Sequence, residues 1–109
     1  MKKFLLYPLL YISSIFGQFS VTGKISDKKS RAPLPGSNIV LIGTNLGAAA
    51  DADGFFEING VPDGEYEIMA TFIGYENFKT NIIVSSNSTD TFQNMSIQLS
   101  VSAIQLQEY

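Results

Sequence analysis

The sequence predicts an all-β fold, an antiparallel seven-stranded β-sandwich closed over one core, and three observations carry that expectation. Short apolar runs recur at period two. Turn signals rich in Asp, Gly and Pro separate them roughly every 8 to 12 residues. From residue 18 onward no segment holds the i, i+3, i+4, i+7 spacing of an amphipathic helix at helical length. In "FSVTGKISD", Phe19, Val21, Gly23 and Ile25 alternate with Ser20, Thr22, Lys24 and Ser26, the pattern of a strand with one buried face. "KKSRAPLPG" follows with two prolines that cannot donate ladder hydrogen bonds, so it reads as an exposed connection. "SNIVLIGT" is a β-branched run with Ile39 and Leu41 inward.

"LGAAADADGFFEING" predicts a hairpin: a short run of small residues, a turn from Asp51 to Gly54, then Phe56 and Ile58 on one face with Phe55 and Glu57 on the other. In "VPDGEYEIMATFIGY", Pro62, Asp63 and Gly64 form the turn. Tyr66, Ile68, Ala70 and Phe72 then alternate with Glu65, Glu67, Met69 and Thr71 in what should be the longest strand. "ENFKTNIIVS" places Phe78, Ile82 and Val84 on one face, "SSNSTD" is a polar loop, and "TFQNMSIQLS" gives Met95, Ile97 and Leu99 at period two. The expected core is therefore Val21, Ile39, Leu41, Phe56, Ile58, Tyr66, Ile68, Phe72, Phe78, Ile82, Ile97 and Leu99. Gly36, Gly54, Gly64 and Gly74 stand where turns need a positive φ or a close backbone approach.

The first residues, "MKKFLLYPLLYISSIFGQ", set Lys2 and Lys3 before an apolar run from Phe4 to Ile12 and end on small residues. This is the pattern of a secretory signal over residues 1–17, cleaved after Gly17. As a membrane span it is interrupted by Pro8 and falls short of the roughly 18 to 20 apolar residues that a bilayer needs. The domain plan is a leader over 1–17, a sandwich over 18–100 and a tail or linker over 101–109. Beyond the leader, five basic residues face ten acidic ones. Lys24, Lys28, Lys29 and Arg31 sit in one short segment and make no stripe for a phosphate backbone, so nucleic acid is not an expected partner. "KKSR" reads as a solvated loop, with weak contact to anionic headgroups as its other use. The chain has no cysteine, so core packing alone must hold the fold.

Four segments together carry a family likeness: "GKISD", "APLPGSNIVLIGTNLG", "ADADGFFEINGVPDGEYEI" and "FIGYENF". In that order they resemble the carboxypeptidase regulatory-like domain, a transthyretin-like or immunoglobulin-like β-sandwich, from about Gly23 to Leu99. The resemblance implies an accessory module without a cofactor. Such modules stand beside carboxypeptidase catalytic domains, and follow a signal peptide at the N-terminus of TonB-dependent outer-membrane receptors. It thus implies export to the periplasm or outer membrane of a Gram-negative bacterium, with free secretion as the alternative, and protein partners at the cell envelope. "SVSAIQLQEY" is similar to the segment leading from this domain into a receptor plug. Ala50 stands where the family often has threonine, which weakens any ligand-recognising role for the hairpin.

The residues themselves bound the chemistry. With no His and no Cys, Ser-His-Asp and Cys-His arrangements are absent, as are imidazole or thiolate ligands for zinc. Glu65 and Glu67, two apart on a strand, have a spacing of about 6.5 to 7 Å, within reach of an inverting glycosidase pair. The alternation that brings them together also turns them away from Tyr66 and Ile68, toward solvent. "DADG" begins like a calcium loop, yet Phe56 and Pro62 occupy the positions where an EF-hand needs glycine and glutamate. Asp51 and Asp53 remain candidates for a looser metal site; the alternative is that they favour the turn. Tyr75 either buries its ring at the sandwich edge and bonds its hydroxyl to backbone, or lies exposed as a contact residue. A glycan platform would need flat rings such as Phe55 or Tyr109 on one surface.

Overall fold

The computed structural model describes residues 18–87 and 89–102; the expected leader and the end of the tail lie outside them. Seven strands form: β1 (Phe19–Asp27), β2 (Asn38–Leu41), β3 (Gly47–Ala49), β4 (Phe55–Val61), β5 (Gly64–Thr71), β6 (Phe78–Val84) and β7 (Met95–Leu99). One helical turn, α1 (Thr89–Phe92), precedes β7. The strands make a three-stranded sheet, β4-β1-β7, and a four-stranded sheet, β3-β2-β5-β6. This is the all-β sandwich that the alternation predicts, with one departure from purely antiparallel pairing. β7 runs parallel to β1, Gly23 opposite Met95 through Asp27 opposite Leu99. The cause is topological: seven strands that alternate up and down leave the first and the seventh pointing the same way, so pairing them must be parallel.

That topology defines two poles. The exit pole gathers the end of β1, the 28–37 connection, the 50–54 turn, the β5–β6 connection and the chain leaving β7. The opposite pole carries the start of β1, the β4–β5 turn and α1. Between them the two inner faces close a core containing Val21, Ile39, Leu41, Phe56, Ile58, Ile68, Ile82, Ile97 and Leu99, all buried. Ile25, Leu34, Val61, Ala70 and Val84 are buried with them. Gly23 sits mid-strand in β1, and the ring of Phe56 fills the space that a side chain would take. A Cβ at Gly23 would lie 2.7 Å from the Met95 carbonyl oxygen and 2.8 Å from ring carbons of Phe56. The apolar run therefore has its gap where the opposing strand supplies the largest ring.

Three expected core residues are corrected to half-buried: Tyr66, Phe72 and Phe78 pack against the core from its rim. Alternation assigns each of them the inward face, but their rings reach only the edge of the core. Tyr66 uses the position to donate its hydroxyl to the Pro62 carbonyl at 2.7 Å. Phe72 falls just past the end of β5, in a turn where its carbonyl accepts the Tyr75 amide at 3.0 Å. Conversely, Phe92 is fully buried although it stands in a polar stretch. Its ring meets that of Phe19 edge-on, centroids 5.8 Å apart at 69°. The loop expected between β6 and β7 thus ends in a helical turn that plugs the opposite pole. Thr91 adds a hydroxyl bond to the Ile83 carbonyl at 2.8 Å, blunting the outer edge of β6, which would otherwise offer free backbone groups to another strand.

Candidate functional site

Most expected turn residues do structural work. Asp51 Oδ1 accepts the amides of Asp53 and Phe55, each at 2.9 Å, while the backbone closes with Gly54 N–H to the Asp51 carbonyl at 2.9 Å. One carboxylate oxygen therefore holds the turn together by replacing a backbone acceptor. Gly36, Gly54, Gly64 and Gly74 all have positive φ, and Pro62 and Asp63 form the exposed bend between β4 and β5. Among the described residues no three His, Cys, Asp or Glu side chains converge in a way that could hold a metal ion. Asp51→Ala should lower stability by about 1–2 kcal/mol, since two amides lose a charged acceptor. Asp51→Asn, which keeps an oxygen there, should cost less than half of that. Urea melts of the two variants, with and without calcium, check the assignment. A midpoint that rises with calcium in the parent and not in Asp51→Asn would contradict it.

Glu65 and Glu67 are exposed on the outer face of β5, opposite Ile83 and Asn81 of β6. Neither faces an enclosed site. A groove of about 630 Å³ runs over the outer face of the three-stranded sheet between Thr22, Lys24, Phe55, Glu57, Asn94 and Ser96. Phe55 is 52% exposed there. Lys24 Nζ stands 5.3 Å from the centre of its ring, a cation–π contact that occupies one face. Tyr109, the other ring of an expected glycan platform, lies outside the described residues.

A tighter constellation sits at the exit pole. Asp27, the last residue of β1, accepts the Lys29 and Ser30 amides on Oδ1, both at 2.8 Å. Its Oδ2 takes the Tyr75 hydroxyl at 2.6 Å. Tyr75 is half-buried, its ring 5.7 Å from that of Phe72. The expected backbone partner of its hydroxyl is corrected to a carboxylate, because Asp27 is held at the right height by the amides of its own turn. The Tyr75 bond, followed by the Ser30 amide, lowers the Asp27 pKa to about 2; the same bond raises that of Tyr75. Around this pair the chain leaving β7 is stitched to the β5–β6 connection. Val101 bridges Tyr75, Glu76 N–H donates to the Ser100 carbonyl at 2.8 Å, and Ser102 N–H donates to the Gly74 carbonyl at 2.9 Å. A cleft of about 410 Å³ lies beside the stitch, lined by Asp27, Lys28, Lys29, Glu76 and residues 99–101. Sequence reasoning found Tyr75 but not its partner, since 48 positions separate it from Asp27.

The pair carries a pH signature. Asp27 has its folded pKa depressed below 3.8, so its contribution to stability is complete above about pH 4 and disappears as pH falls through about 2. Tyr75, raised, contributes below its ordinary value of 10.0 and loses that contribution as pH climbs through its folded value. Tyr75→Phe should flatten both limbs. Denaturation midpoints measured from pH 2 to 5 and from 9 to 11 check this; parallel curves for the parent and the variant would show that the bond does not govern either limb.

The four quoted segments map onto this frame: β1 with its turn, the 32–47 connection with β2, the hairpin with β4 and β5, and the loop that pins the exit. The family model of the CarboxypepD_reg-like domain matches residues 21–109. The chain belongs to this family. A TonB-dependent receptor of Formosa agariphila is 33% identical to this CarboxypepD_reg-like domain over 72 residues, which are 66% of the chain and 7% of the receptor. The chain therefore corresponds to a small part of that relative's length. A chain of a type II cohesin–X-dockerin complex from Acetivibrio cellulolyticus superposes with a TM-score of 0.60 at 24% identity, over 73% of this chain and 56% of that one. The group B streptococcus pilus 2b backbone protein superposes with a TM-score of 0.62 at 20% identity, over 84% and 43%. At those identities the likeness to the CarboxypepD_reg-like domain is one of fold alone.

Proposed function

We propose that this chain is an exported, non-catalytic β-sandwich module, the N-terminal periplasmic extension of a TonB-dependent outer-membrane receptor, acting by protein contact in nutrient uptake. The observation that carries this reading is the 33% identity to a TonB-dependent receptor confined to 7% of that protein, a likeness of the size of one module within a much longer chain. Residues 1–17 fit it as a leader cleaved after Gly17, and residues 101–109 fit as the start of a linker. Transport itself would belong to other parts of such a receptor. A membrane barrel needs at least eight strands of about 9 to 11 residues, and the seven strands described here close a sandwich instead. Sequencing the coding DNA beyond codon 109 tests the reading: a frame that runs on into a plug and barrel is expected, and a stop codon there would remove the receptor assignment.

The groove at Phe55 favours a second reading, a secreted module that holds glycan on its outer sheet face. Glycan-array binding that disappears in Phe55→Ala would support it. Binding unchanged by that substitution, or none at all, would leave the receptor reading alone.

A further inference from the structure

The exit strand is held in a geometry that resists pull along its axis. β7 lies beside β1 over five consecutive pairs, and both point to the exit pole. Immediately beyond, Lys28 N–H holds the Leu99 carbonyl at 2.9 Å, and residues 100–102 are bonded to residues 74–76. The loop carrying those residues is tied back to the end of β1 by the Tyr75 hydroxyl on Asp27. β1, the exit strand and the loop thus form a closed triangle of contacts, and β1 is itself the central strand of its sheet, bonded to β4 on the other side. A load drawn out of the exit pole along β7 stretches the bonds of the β1–β7 ladder together. A load that separates the ends of β1 and β7 sideways breaks them one after another, starting at Asp27 and Leu99.

We propose that this pole is a shear clamp, which lets the module pass a longitudinal load between whatever holds its body and the polypeptide that follows residue 102, without unfolding. The biological use of the clamp rests on the reading that a further domain follows; the clamp itself does not. Partner capture of the module would then be felt in the next domain, because the strand joining them does not slide.

The chain has no cysteine, so introduced thiols are unique handles for single-molecule pulling. Asp63→Cys with Tyr109→Cys pulls along the strands from the opposite pole. Lys28→Cys with Tyr109→Cys pulls the same two strands apart from their shared end. Asp63 and Lys28 are exposed, and a second pair of variants, Asn45→Cys or Lys29→Cys with Tyr109→Cys, repeats the two directions at other exposed sites. At equal loading rate the longitudinal pull should need a rupture force at least about twofold higher than the sideways pull, since forced unfolding reports the barrier along the direction of load. Equal forces in both directions, or a weaker longitudinal one, would overturn the clamp. A stop codon after residue 109 would remove the receptor reading and leave this force ratio unchanged, so the two failures are distinguishable.

Discussion

Phe92→Ala should destabilise the domain by about 3–5 kcal/mol, a large share of the 5–15 kcal/mol typical of a small domain. The ring is fully buried at the opposite pole, where it meets Phe19 edge-on. Its removal deletes the transfer energy of an aromatic side chain and leaves a hole beside Phe19, where α1 packs on β1 and β6. α1 is a single turn, too short to hold itself together without that packing. Loosening it would also withdraw Thr91 from the Ile83 carbonyl and open the edge of β6 to other strands. The variant should therefore be less stable and more prone to associate, in urea melts and in light scattering. Phe55→Ala, at an exposed ring on the outer sheet face, should cost under about 1 kcal/mol and serves as the comparison. A cost for Phe92→Ala no larger than for Phe55→Ala would mean that the pole is not closed by that ring.

Why Phe92 escapes sequence reasoning is instructive about what alternation encodes. A strand of five or more residues declares its inward face by period two, which is why Val21, Ile58, Ile68 and Leu99 were legible as core. A lone aromatic on one helical turn has no period to declare. Depth is equally silent: Tyr66 and Phe78 share a face with buried neighbours yet sit at the rim, because period two assigns a face and not how far the other sheet extends over it. Strand partners are a third blind spot. The period within β1 and β7 is the same whether they run parallel or antiparallel, and only the count of reversals between them fixes the direction. The exit constellation was half legible for this reason. Tyr75 stands out after Gly74, whereas Asp27 looks like any acidic residue at the end of a strand until the β5–β6 connection is brought down beside it. The Asp51 carboxylate lies at the other extreme, since the hydrogen bonds it accepts all fall within five residues and its chemistry can be read from composition.

Gly54→Ala and Gly36→Ala should differ although the two glycines share a φ of 86°. At Gly36 a Cβ meets nothing within 4 Å, so alanine incurs only the left-handed backbone, about 1–2 kcal/mol. At Gly54 the same Cβ would lie 2.6 Å from the Ile25 carbonyl oxygen and 3.1 Å from the Pro33 Cβ. The obvious relief is to move the turn away from β1, but Ile25 N–H donates to the Gly54 carbonyl at 2.8 Å, and the turn is clasped from within by Asp51. Relief therefore breaks a hydrogen bond that alanine at Gly36 leaves intact. The crowding should add about 1–3 kcal/mol, bringing Gly54→Ala to about 2–5 kcal/mol in urea denaturation. Equal losses at the two sites would show that the hairpin turn yields freely against β1. In that case the Asp51–Gly54 bend would be a mobile loop, and its carboxylates would again be available for a role beyond holding the turn.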